Sequence, residues 1–108
     1  TVTTGPAITT QPSNQTVAAG ANTSFTVAAT GSPAPTYQWQ ISTNGGATFS
    51  DLANGAPYSG VTTQTLTLTS VTAPLNGRQY RAVATNSAGT ATSNAATLTV
   101  VVPPAFTT

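Results

Sequence analysis

The sequence predicts an all-β fold in which two antiparallel sheets of short strands, seven to eight in number, pack face to face. Three observations carry this. Tyr37-Gln38-Trp39-Gln40-Ile41 and Thr65-Leu66-Thr67-Leu68-Thr69 alternate apolar and polar residues with a period of two, which gives each strand one face for a core and one for water. Clusters of Gly, Pro and Asn punctuate the chain at short intervals, and no stretch carries a helical period. About a quarter of the residues are Thr, whose branched β-carbon favours strands over helices.

Taken in order, Ala7 to Gln11 reads as a first strand at a sheet edge, because Pro12 cannot donate to a ladder and makes the strand end or hop there. Asn14 to Val17 continues it, and Ala19 to Asn22 turns the chain. Ser24 to Ala29 follows with Phe25, Val27 and Ala29 on one face. Gly31-Ser32-Pro33-Ala34-Pro35 is an extended loop, since each proline fixes φ and biases its predecessor away from helix. The next strand turns Tyr37, Trp39 and Ile41 inward and Gln38 and Gln40 to water. Trp39 is the single Trp and the largest apolar surface on offer, so other segments must pack onto it. Asn44-Gly45-Gly46 marks a hairpin, with Thr48 to Leu52 returning. Asn54 to Gly60 reads as irregular. Leu66 and Leu68 point inward from the following strand, Asn76-Gly77 breaks the chain, and Gln79 to Thr85 sets Tyr80, Ala82 and Ala84 on one face. Asn86 to Gly89 is a tight turn before a last strand from about Thr90 to Val102.

Composition bounds the chemistry. At 108 residues the chain fits one domain with one core. With no cysteine there is neither a disulfide nor a thiolate ligand, and with Arg78, Arg81 and Asp51 as the only charged side chains, solubility rests on Thr, Ser, Asn and Gln. A net charge of +1 does not neutralise a phosphate backbone, so no nucleic-acid partner is expected. No apolar run reaches the ~20 residues of a helical membrane span, and no signal peptide is recognisable.

The pieces Gly31 to Pro35 leading to Trp39, Leu66-Thr67-Leu68 with Val71, Tyr80 to Asn86 with Gly89, and a final Leu98-Thr99-Val100 resemble an immunoglobulin-like domain of the bacterial, intermediate-set kind across nearly the whole chain. The resemblance implies an immunoglobulin-like β-sandwich in which Trp39 is the strand C Trp and Tyr80 the corner Tyr. It sets the two usual cysteine positions on Val27 and Ala82, so the bridge is absent, and it sets Asn76 where an Asp is usual. The expected structural core is Val27, Trp39, Leu66, Leu68, Tyr80 and Ala82.

The chain ends resemble each other. Sliding Thr1 onto Thr99, about 98 residues along, also matches Val2 with Val100, Pro6 with Pro104, Ala7 with Ala105, and Thr9-Thr10 with Thr107-Thr108. One such domain is about that long, so the expected organisation is a slice of a tandem array. Residues 1–5 end a preceding unit, 6–102 form the domain, and 103–108 form the linker and the start of the next unit. Pro103-Pro104 would make that junction extended and stiff.

Catalysis needs paired titratable groups, and Asp51 is the only side-chain acid, so no enzyme, metal site or cofactor is expected. The absence of Lys excludes a Lys-Asn isopeptide link. Asn14-Gln15-Thr16 and Asn22-Thr23-Ser24 match the N-glycosylation acceptor pattern, and Tyr58 is a candidate ligand contact, although a Tyr so placed more often merely covers the end of the core. The expected role is a structural or adhesive repeat of an extracellular, cell-surface protein or filament, with neighbouring copies as partners. The alternatives are a module recognising a surface glycan or a protein, and an accessory spacer in a secreted hydrolase.

If Val27 and Ala82 face each other as the resemblance implies, a Val27→Cys/Ala82→Cys variant should oxidise to a bridge. A free-thiol assay after mild oxidation reads this, and two persistent thiols would show the register to be wrong.

Overall fold

In the computed structural model of the chain, residues 3–55 and 57–102 are described. They form eleven strands and one short 3-10 turn. The strands are β1 (Thr4–Thr10), β2 (Gln15–Ala18), β3 (Thr23–Thr26), β4 (Ala28–Ser32), β5 (Thr36–Ser42), β6 (Ser50–Asp51), β7 (Tyr58–Ser59), β8 (Thr65–Leu68), β9 (Gln79–Asn86), β10 (Gly89–Thr92) and β11 (Ala96–Val101), with the turn at Ala73–Leu75.

They stack in two layers, as the alternating pattern requires. One layer holds β1 on β4 and β3-β8-β7; the other has the order β2-β11-β9-β5-β6, with β10 also on β9. The count exceeds seven to eight because single passages are interrupted. Val27 separates β3 from β4, and there the passage changes partner from β8 to β1, the Val27 amide donating to the Gln64 carbonyl at 2.9 Å. Residues 93–95 separate β10 from β11. At that gap the buried Ser93 keeps the pairing closed: its amide donates to the Ala82 carbonyl at 2.8 Å, and its hydroxyl accepts the Ala82 amide at 2.9 Å.

The first strand does hop. β1 pairs with β4 in one layer, the chain passes the buried Pro12, and β2 joins β11 in the other layer. That last pairing is parallel, Leu98 opposite Gln15 and Val100 opposite Val17, so the sheets are not wholly antiparallel. The segment Asn54 to Gly60 is not wholly irregular, because Tyr58–Ser59 pairs with Leu68 and Thr67 of β8. Gln38 and Gln40 lie on the outer face but are half-buried rather than freely hydrated, the Gln38 amide donating to the Leu52 carbonyl at 2.8 Å.

Between the layers lies one core. Val27, Trp39, Leu66, Leu68, Tyr80 and Ala82 are all at 0% exposure. Trp39 stands opposite Ala82 on the neighbouring strand, where a small partner leaves room for the indole. Its ring N–H donates to the Thr63 carbonyl at 2.8 Å, and its backbone N–H to Val61 at 2.7 Å. The largest side chain is thus buried with its polar atoms paired, which avoids the ~1 to 3 kcal/mol that an unpaired buried group costs.

Trp39→Ala should destabilise the domain by ~3 to 5 kcal/mol in urea titration, the usual loss for truncating a buried aromatic. A loss below ~1 kcal/mol would show that the indole is not central.

Candidate functional sites at the two poles and on the outer sheet face

The chain enters and leaves the domain at opposite poles. β9 ends at Asn86 and β11 runs antiparallel to it, so the end of β11 lies at the pole where β9 begins. Thr4, the first residue of β1, lies beside Asn86 at the other pole.

Asn86 organises the entry pole. Its Nδ2 donates to the Thr4 carbonyl at 2.8 Å and to the Pro33 carbonyl at 2.9 Å, while its Oδ1 accepts the amides of Ala88 at 2.9 Å and Gly89 at 3.2 Å. One side-chain amide therefore holds the incoming strand, the proline loop and the β9–β10 turn together. Gly31 lets the chain pass close by, since a β-carbon there would lie 3.0 Å from that Nδ2 and 3.3 Å from the Thr4 carbonyl, so a larger residue would press on both. The tight turn at Asn86 to Gly89 is readable from its residue types. The bonds to Thr4 and Pro33 span the chain and leave no local signal.

At the exit pole the Ala19 amide donates to the Val101 carbonyl at 2.9 Å, and Asn76 Oδ1 accepts the Val100 amide at 2.8 Å. Val101 and Val102 are exposed at 49% and 57%. The following segment 103–108, including Pro103-Pro104, lies outside the described residues, as do Thr1 and Val2.

The outer face of the β5–β9–β6 sheet gathers two of the charged side chains. Gln40 bridges them, donating to Asp51 Oδ1 at 2.8 Å and accepting Arg81 Nε at 2.8 Å, and the Arg81 guanidinium lies 4.0 Å from the centre of the Phe49 ring. These contacts, partly buried except at the exposed Asp51, organise the outer surface of the sheet. Among the described residues no three His, Cys, Asp or Glu side chains group as metal ligands.

Tyr58 and Tyr80 share a hydrogen bond between hydroxyls at 2.9 Å, with ring centres 5.8 Å apart. The hydroxyl of Tyr80 on β9 thus meets a side chain from β7. Tyr58 itself is half-buried against the core. Burial first, and then the hydrogen bond to Tyr58, push the Tyr80 phenol far above its ordinary pKa of 10.0. Asn14 and Asn22 are exposed, and their Oδ1 atoms accept the amides of Thr97 at 2.8 Å and Ser70 at 2.9 Å, tying one loop to β11 and another to the turn after β8. No helix among the described residues is long and apolar enough to cross a membrane.

Comparison with known proteins places these features in a family. The family model described as "Immunoglobulin domain" matches residues 5–86. Endoglucanase C of Cellulomonas fimi is 44% identical over 99 residues, an alignment covering 92% of this chain and 8% of that protein, so the chain corresponds to a small part of that relative. Among solved structures, a chain of the titin M10–obscurin-like 1 Ig complex superposes with a TM-score of 0.76 at 28% identity, over 94% of this chain and 99% of that one. The tandem Ig repeats of Dlar give a TM-score of 0.74 at 30% identity, over 91% of this chain and 49% of that one.

The Tyr80 shift sets a pH response. The folded chain holds the phenolic proton more tightly than the unfolded chain does, so the associated stability is present below the ordinary phenol pKa and is lost as pH rises past it. Stability should be nearly flat between about pH 5 and 9 and then fall by about 1.4 kcal/mol per pH unit above about pH 10. Urea midpoints measured across that range, compared with Tyr80→Phe, check this. An equal alkaline slope in the variant would exclude Tyr80 as its source.

Proposed function

The chain belongs to the immunoglobulin domain family, and on that premise we propose that it is a connecting module, a semi-rigid spacer without catalysis of its own in a multidomain extracellular bacterial protein. The observation that supports this most directly is the placement of entry and exit at opposite poles, each pinned by hydrogen bonds: Asn86 holds Thr4 at one, and Ala19 holds Val101 at the other. Units joined end to end through such poles extend in line instead of folding back.

Kinship with Endoglucanase C of Cellulomonas fimi favours a bacterial source and a setting beside a glucan-hydrolysing domain over a free-standing adhesive filament. A spacer there holds the hydrolase away from its neighbours or its anchor. Recognition of a glycan or a protein through residues 31–35 and 53–60 is the competing role. Against it, Asn86 ties down the Pro33 loop, and Tyr58 spends its hydroxyl on Tyr80. The first strand already begins at Thr4, ahead of the expected boundary at residue 6, and the module from that strand to residue 102 is a single unit of an array whose neighbours are of its own kind.

Small-angle scattering on two copies joined head to tail tests the spacer role. The expected maximum dimension is close to twice that of one unit, and a value near that of one unit would overturn the proposal. Retention of the single domain on insoluble glucan or on a glycan array would favour the competing role.

A further inference from the structure

The exposed valines at the exit pole have an assignable cover. We infer that Val101 and Val102 form a seam with the following unit, covered by that unit's entry pole, namely the Pro33 loop and the turn after Asn86. This rests on the tandem reading of the chain ends and goes beyond it by naming the surfaces that meet.

Three observations carry the inference. First, the repeat that aligns Thr1 with Thr99 also sets Thr4 of a following unit on Val102. β11 ends at Val101 and β1 begins at Thr4, so in that register the last strand of one unit abuts the first strand of the next with no residue between. Second, Asn86 binds the Thr4 carbonyl at 2.8 Å and the Pro33 carbonyl at 2.9 Å. In the following unit the same amide would take the Val102 carbonyl, which brings the Val102 side chain up against the proline loop. Consecutive Cα atoms are only about 3.8 Å apart, so Val101 cannot lie far from it.

Third, the residue types at the seam suit contact. The outward positions of β11 read Thr97, Thr99, Val101, so polarity is lost only where the strand leaves the domain. Val101 and Val102 are the exposed large apolar side chains of the described residues. Facing them across the junction would be Pro33, Ala34 and Ala88, small apolar residues that are exposed in a single unit. At this chain's own entry the equivalent positions are Thr3 and Thr4, close to valine in shape but carrying a hydroxyl, so the seam it makes as the following unit is the more polar of the two.

The test uses a two-unit chain, residues 1–102 followed directly by residues 5–102 of a second copy, and 15N relaxation of each unit. The expected result is one shared rotational correlation time, lost when Val101→Asn and Val102→Asn are introduced at the junction, so that the two units then report separate and shorter times. The single unit carrying the same two changes should keep its melting temperature, because both side chains face solvent there. Two folded units that tumble independently without any substitution would overturn the seam while leaving the tandem reading intact. Shared tumbling that survives both substitutions would likewise overturn it. A second unit that fails to fold in this register would overturn the tandem reading, and the seam with it.

Discussion

The structure depends on burying one indole between two layers without stranding any of its polar atoms. Trp39 is held from both sides. Its strand pairs with β9, where Ala82 stands opposite, and its ring N–H and backbone N–H reach across to Thr63 and Val61 in the segment leading to β8. The carbonyl accepts from the Leu52 amide at 2.9 Å. Neither a disulfide nor a buried ion pair is needed for this. Apolar burial supplies the attraction, and Val27 and Ala82 are both fully buried within the one core.

A chain with three charged side chains must find its directional contacts elsewhere, and it finds them in amides. Asn14 accepts from Thr97, Asn22 from Ser70, Asn76 from Val100 and Gln11 from Asn94, each joining a loop to a distant backbone amide. Among the described residues no buried side-chain nitrogen or oxygen lacks a partner. Contacts of this kind do not titrate, whereas the buried Tyr80 is one group through which pH reaches the fold.

The same economy shapes the poles. An amide at Asn86 and a strand end at Val101 fix where the chain enters and leaves the domain, by backbone position and not by charge. The outer-face group of Asp51, Gln40, Arg81 and Phe49 orders a surface in the middle of the domain, away from both junctions.

The strands themselves were legible in the sequence because period-two alternation is a local signal. β5, β8 and β9 stand where their apolar faces predict, the Asn44 to Gly46 hairpin and the Asn86 to Gly89 turn form where the turn residues lie, and the hop at Pro12 follows from a missing amide. What only the tertiary structure decided are the pairings between residues far apart in the chain. These are the parallel union of β2 with β11, the short β7 strand, the Tyr58–Tyr80 hydroxyl pair, the closure by Ser93 and the reach of Asn86 to Thr4 and Pro33. A residue's type records which face it prefers and what it can donate or accept. Which partner it meets depends on how two sheets settle against each other, and that is a property of the packed whole.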